Sequence, residues 1–316
     1  MGMDACMLCP RMCGVDRESG EKGYCGMDGK LRAARAALHM WEEPCISGTR
    51  GSGAVFFSGC SLRCIFCQNY EIAQGNCARE ISGDRLSEIF LELQEKGAAN
   101  INLVTATHFA PAVIGALKKA KAQGMYLPVI YNSSGYERVE TVQMLEEVVD
   151  VWLPDFKYMD PELAFACSKA KDYPEVAVAA IREMMLAGGR CEYDDNGYIQ
   201  KGVIVRHLIL PGHTKNSIAV LDELYETYGK DLTISLMNQY TPLPQVRDIP
   251  DLNRRVTKRE YEKVLDHALD LGITQGFFQE AGQQTKVSFH FLTMKAYKAS
   301  KHNGKQHIPC EPIRKM

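Results

Sequence analysis

No apolar run in the sequence approaches the roughly 18 residues that a membrane-spanning helix needs. Its opening residues, MGMDACMLCPRMCG, carry neither the basic n-region nor the apolar stretch of a secretory signal. Charge of one sign is lacking as well: 37 Lys and Arg stand against 39 Asp and Glu, a formal net charge of -2. Attraction to a nucleic-acid backbone or an anionic membrane by bulk electrostatics is thereby excluded. There is no P-loop and no Gly-rich dinucleotide fingerprint, which sets aside nucleotide-dependent kinases and dehydrogenases of those types. Met7 stands where a myristoylation motif wants Ser or Thr, so Met1-Gly2 is not read as an acylation site. The expectation is a cytoplasmic protein with no membrane or nucleic-acid partner.

Cysteine, by contrast, is plentiful. The 316 residues, 46% hydrophobic, suit a soluble globular protein with one main domain, yet twelve of them are Cys. In a reduced compartment thiols seldom end as structural disulfides, so metal binding is the default explanation. Seven fall into two groups: Cys6, Cys9, Cys13 and Cys25, then Cys60, Cys64 and Cys67. Cys45, Cys77, Cys167, Cys191 and Cys310 are scattered and read most simply as small buried hydrophobes.

Beyond the Cys- and Gly-rich start, apolar strand-like runs alternate with amphipathic helical ones. Strands are expected at 54–58, 101–105, from 128, from 151, from 203 and at 232–237, with a short one at ITQGFF. Helices are expected after Asp84, read as an N-cap, and then near 110–123, 138–149, 161–187 and 217–228. A last helix is framed by the Thr257/Glu260 capping box and Gly272. Asn196-Gly197 reads as a tight turn. Apolar strands separated by amphipathic helices imply a parallel sheet covered by helices, an α/β fold. Periodicity alone leaves open sheet, full barrel and partial barrel unresolved.

Cys60, Cys64 and Cys67 form C-x3-C-x2-C just beyond the first of these strands, at the sheet end where ligands bind in parallel α/β folds. Three thiolates can wrap one inorganic centre but supply one ligand fewer than a closed four-cysteine cluster needs, so one iron is left open. A zinc site completed by Cys45, Cys77 or a His is the rival reading, as is a closed cluster using Cys77. The group Cys6, Cys9, Cys13 and Cys25 has four thiolates and closes a site, suiting an auxiliary iron-sulfur cluster or structural zinc.

The segment GCSLRCIFCQN, with Phe66 before the last Cys, resembles the signature of the radical S-adenosylmethionine superfamily, and more narrowly the relatives of pyruvate formate-lyase activating enzyme. CPRMCGVDR, EEPCISGTRGSG, INLVTATH, YNSSGYE, LPDFKY, VRHLILPG and SLMNQYTP extend the likeness over residues 6–242. The resemblance implies a partial barrel of six β/α units. It implies a 4Fe-4S cluster on Cys60, Cys64 and Cys67, and S-adenosylmethionine on the open iron, cleaved by one electron to methionine and a 5'-deoxyadenosyl radical.

The resemblance also implies cofactor contacts. Thr105, Thr107 and His108 replace a Gly-Gly-Glu segment that usually meets the methionyl amino group. Asn132, Ser133 and Ser134 close the third strand, where they bind a ribose or shape a turn. Asp155 and Lys157 in LPDFKY and Arg206 in VRHLILPG match polar cofactor-facing positions, with a fold-internal ion pair as the rival reading. His108 and His207 flank strand ends without an assigned role.

The expected organisation is a Cys-rich annex over residues 1–50, a barrel over 51–280 and a C-terminal extension over 281–316 ending in a basic, solvated tail. Implied partners are a flavodoxin- or ferredoxin-like electron donor and a substrate, either a glycyl-radical enzyme or another peptide or small molecule. A zinc-stabilised interaction protein is the competing class.

Overall fold

The computed structural model describes residues 4–279 and the strand at 291–293. Among the described residues the strands are β1 (Arg32–His39), β2 (Ser52–Phe57), β3 (Arg79–Glu80), β4 (Ile101–Val104), β5 (Val129–Ser133), β6 (Val151–Pro154), β7 (Glu192–Tyr193), β8 (Ile199–Val203), β9 (Val205–Leu208), β10 (Ile234–Met237), β11 (Gly276–Gln279) and β12 (Phe291–Thr293). The helices are α1 (Pro44–Ser47), α2 (Tyr70–Ala73), α3 (Gly83–Glu95), α4 (Ala110–Ala122), α5 (Val139–Leu145), α6 (Pro161–Ser168), α7 (Tyr173–Gly188), α8 (Thr214–Tyr228) and α9 (Lys258–Leu271).

Strands β2, β4, β5, β6 and β8 pair in parallel, as do β9, β10 and β11. A parallel bridge between Asp155 and Arg206 joins the two runs. The result is a curved α/β sheet of strand-helix units, a partial barrel. Side chains alternate between its faces. Ile101, Leu103, Val129, Tyr131 and Trp152 pack with Leu86, Phe90, Leu93, Val113 and Leu117 of the helices in one core. Each such buried side chain contributes about 1.5–3 kcal/mol of transfer free energy. The intervening residues, among them Ala54, Asn102, Ile130, Leu153, Ile204 and Arg206, face the lumen.

The first strand of the barrel is not the first strand of the chain. RAARAALH forms β1, antiparallel to β2, so part of the expected annex belongs to the sheet. Its Ala-rich composition carries no strand signal; pairing with an already apolar neighbour makes it a strand. After β1 the chain turns under the barrel, where Cys45 and Ile46 of α1 pack on Ile130, Val151, Leu153, Ile199 and Ile204. The short helix thus plugs the end opposite the strand C-termini.

Four local expectations are corrected. The 161–187 region is two helices, because Lys169 adopts a left-handed backbone (φ 52°) and breaks it. The run from Val203 is two strands parted at Ile204: β8 pairs with β6 while β9 pairs with β10, so the chain changes neighbours there. Ser82, not Asp84, caps α3, its hydroxyl accepting from the Arg85 N–H. Helix α5 ends at Leu145. The Thr257/Glu260 capping box and the left-handed Gly272 (φ 92°) frame α9 as expected. No helix among the described residues is long and apolar enough to cross a membrane. The basic tail lies outside the described residues.

Candidate cofactor and metal site

Cys60, Cys64 and Cys67 follow directly on β2, in a loop fixed by its own backbone. The N–H groups of Leu62 and Arg63 point at Cys60 Sγ (3.4 and 3.5 Å), and Arg63 takes a left-handed φ of 53° to allow it. Ser168 Oγ donates to Cys64 Sγ at 3.2 Å. Phe66 is buried against Tyr158 and Tyr240, which explains the aromatic before the last Cys as an anchor for the loop. Burial, then the neighbouring thiols, pushes Cys60 up to about 11 and Cys67 up to about 12. Three thiols within electrostatic reach of one another form a donor set suited to a multi-iron cluster, whose binding would release their protons.

Lys157 stands beside these thiols. Burial works against its ammonium, but Asp155 and the thiols of Cys64 and Cys67 hold it above the ordinary lysine range. It is ion-paired with Asp155 at 2.5 Å. The Tyr173 hydroxyl organises this corner, donating to Ser134 O and Asp155 O and accepting from the Lys157 N–H. The structure therefore brings Asp155 and Lys157 to the thiol loop.

Most of the other predicted residues have partners within the protein. Arg206 donates to both Glu42 and Glu43. The fold-internal ion pair weighed against its cofactor role is what the structure contains, and Glu42 and Glu43 were missed as its partners. Thr107 is buried, donating to Glu137 Oε1 at 2.8 Å and accepting from Tyr131 at 3.0 Å. His108 is buried, with Nε2 on Ser58 O at 2.7 Å and Nδ1 unpartnered. His207 lies between Phe156 O and Ser217 Oγ. Burial, chiefly, lowers both His to about 4. Ser133 and Ser134 accept from the N–H groups of Gly135 and Tyr136 and shape the turn. Asn132 is half-buried at the end of β5. Thr105 has φ 60°, a strained conformation for a β-branched residue, right at the end of β4.

The N-terminal cysteines sit against the same mouth. Cys6, Cys9 and Cys25 are buried and Cys13 is half-buried. The Tyr24 N–H points at Cys13 Sγ (3.2 Å), and a side chain on Gly23 would come 3.4 Å from Cys13 Sγ and 3.8 Å from Cys25 Sγ. Burial, chiefly, and the neighbouring thiols Cys25 and Cys13 raise Cys9 to about 12. Among the described residues no three His, Cys, Asp or Glu side chains surround one point closely enough for a single ion.

Three arginines that the sequence reading passed over hold this segment down. Arg11 donates to Ser61 O, Ser168 O and Lys169 O, and stacks on Tyr24. Arg17, buried, donates to His108 O and Asp28 O. Arg63 reaches back to Tyr24 O.

This arrangement, three thiols and a Lys–Asp pair at the C-terminal mouth of a parallel partial barrel, agrees with comparison against known proteins. The model of the radical SAM superfamily matches residues 54–225, more than half of the chain. The chain belongs to the radical S-adenosylmethionine superfamily. It is 30% identical over 272 residues to an uncharacterised protein of Methanocaldococcus jannaschii, an alignment spanning 83% of this chain and 74% of the relative. A radical SAM methyltransferase from Sphaerobacter thermophilus shares the fold at TM-score 0.52 and 15% identity, over 72% of this chain and 66% of its own. A domain of pyruvate-formate lyase-activating enzyme from Bacteroides vulgatus matches 54% of this chain and 92% of its own at 15% identity and TM-score 0.38. Radical SAM membership implies a 4Fe-4S cluster and S-adenosylmethionine, and the three-thiol loop fits that cluster. It also sets aside the reading of the chain as a zinc-stabilised interaction module.

Proposed function

We propose that this radical SAM enzyme reductively cleaves S-adenosylmethionine at a cluster on Cys60, Cys64 and Cys67 and abstracts a hydrogen atom from a substrate held in the barrel lumen. The observation that carries the reading is the three-thiol loop at the strand C-termini with Lys157 and Asp155 beside it. When bound, the cluster and S-adenosylmethionine supply the 5'-deoxyadenosyl radical. The chain's own part is to hold, orient and shield. Lys157 offers an ammonium to an anionic cofactor group, Asp155 fixes that ammonium, and strained Thr105 turns the end of β4 at the mouth.

Activation of a glycyl-radical enzyme rests on the sequence resemblance alone. Modification of another peptide or of a small molecule is the other reading of the same chemistry. A second centre on Cys6, Cys9, Cys13 and Cys25, iron-sulfur or zinc, and a flavodoxin- or ferredoxin-like donor complete the proposal. Anaerobic protein reconstituted with iron and sulfide should form 5'-deoxyadenosine and methionine with dithionite. The same yield from the Cys60/Cys64/Cys67 triple alanine variant would reject it.

A further inference from the structure

Helix α6 has two unlike faces. Its inner one is tied to the thiol loop: Cys167 and Ser168 are buried, the Ile65 N–H donates to Cys167 O at 3.0 Å, and Ser168 Oγ donates to Cys64 Sγ at 3.2 Å. Its outer one is bare. Phe165 is 48% exposed, and Lys169, which ends the helix with a left-handed backbone, lays its ammonium 4.8 Å from the centre of the Phe165 ring. Arg11 ties the N-terminal segment to the same corner through Ser168 O and Lys169 O, and the next residue, Met12, is 52% exposed. A single helix thus separates an exposed aromatic from a thiol of the loop.

The charge at this corner has one prevailing sign. The three segments that meet there, 6–13, 60–67 and 161–172, carry Arg11, Arg63, Lys169 and Lys171 against Glu162 and Asp172. Glu162 pairs with Lys171 at 2.5 Å, and Asp172 accepts from the Tyr136 hydroxyl at 2.8 Å. Arg11 and Arg63 give their N–H groups to carbonyl oxygens of the main chain and of Gln74, so neither is neutralised by those acids. An exposed aromatic and a Met within a rim of cations have the composition of an interface, and the excess positive charge calls for an acidic partner.

We infer that the outer face of α6, with Phe165 at its centre and Lys169 and Arg11 beside it, is the docking surface of an acidic one-electron carrier protein. This deepens the proposed function, since it takes a cluster on Cys60, Cys64 and Cys67 as the acceptor. Reductive cleavage needs one electron from outside, and transfer weakens steeply with distance, so the carrier must dock where little protein intervenes. In the step itself one electron passes from the reduced carrier to that cluster, and no bond forms or breaks. Encounters of this kind use small, electrostatically steered interfaces, which a patch of this extent suits.

The test is stopped-flow mixing of the anaerobically reconstituted full chain with reduced flavodoxin and, separately, with a reduced 2Fe-2S ferredoxin. At least one carrier should reduce the protein, at a second-order rate that falls as salt is raised. Phe165→Ala and Lys169→Glu should each slow that reaction about tenfold or more, as loss of an interface anchor and of a steering charge does. Lys118→Glu, on α4, makes the same change in net charge and should leave the rate within about twofold if steering is local. Reduction by dithionite, and 5'-deoxyadenosine formed with it, should be unchanged in all three variants. If Lys169→Glu loses the dithionite reaction, Phe165→Ala and Lys169→Gln decide. Unchanged carrier rates in the α6 variants, an equal loss in Lys118→Glu, or no electron accepted from either carrier overturns the inference. So does a dimer in sedimentation that Phe165→Ala abolishes without slowing the carrier, which would assign the face to a second copy of the chain. Wild type that forms no 5'-deoxyadenosine even with dithionite would instead reject the wider reading.

Discussion

The Ser168 hydroxyl, at the end of α6, donates a 3.2 Å hydrogen bond to Cys64 Sγ, and Tyr158 holds that hydroxyl from the other side at 2.8 Å. A donor to a cluster ligand favours the more negative, reduced state and raises the reduction potential. Ser168→Ala should therefore lower the potential of the cofactor-cleaving cluster. Loss of a net hydrogen bond of about 1 kcal/mol corresponds to roughly 40 mV for one electron. Redox titration followed by electron paramagnetic resonance measures it, and a rise in potential would contradict the assignment.

Lys157 and Arg206 should separate two roles. Lys157→Met is expected to weaken S-adenosylmethionine binding by about 1.5–3 kcal/mol, the worth of a charge-assisted hydrogen bond. Arg206→Met leaves Glu42 and Glu43 without their cation, so its effect should fall on stability, by about 3–5 kcal/mol. Calorimetry with the cofactor and denaturant midpoints distinguish them; a larger affinity loss in the Arg206 variant would reverse the roles.

Glu137 gives a pH dependence with a definite sign. Burial, chiefly, raises its carboxyl from 4.5 to about 8 despite hydrogen bonds from Thr107 and Tyr131. Between those values the unfolded chain has released a proton that the folded chain keeps, so this group's contribution to stability falls as pH rises through the window. Glu137→Gln retains the shape and removes the titration. Urea midpoints near pH 5 and near pH 8 should show wild type losing ground to the variant on going up in pH, and parallel profiles would show that the group is ionised throughout.

Replacing Cys6, Cys9, Cys13 and Cys25 by Ala should remove one metal centre while cofactor cleavage persists in part at the other. Metal analysis with Mössbauer spectroscopy decides between iron and zinc at the N-terminal group. Equal metal content in wild type and variant would refute a second centre.

The parts of this molecule that one stretch of sequence determines were legible in it. The C-x3-C-x2-C loop, the alternation of strands and helices, and the Thr257/Glu260 box each depend on neighbours a few residues away. Arg206 was harder: it lies 163 residues from Glu43, and nothing local shows that EEP and VRH meet in one lumen. Thr107 and His108 looked like mouth residues because they follow a strand, but a 3-10 turn carries both inward. Glu137 was visible only as the end of YNSSGYE; its burial comes from Tyr131 and Thr107. Strand β1 has no strand composition and exists because β2 offers an edge.

Arg11, Arg17 and Arg63 donate chiefly to main-chain carbonyls, and none forms an ion pair with a described carboxylate. Were the nearby thiols to lose their protons to a bound metal, these three guanidiniums would form a counter-charge already built into the fold. Such a shell does the work that mobile counter-ions do at an exposed cluster. Ionic strength has little to screen at Arg17, whose guanidinium lies 3.8 Å from Cys6 Sγ, well inside a Debye length of about 8 Å in physiological salt.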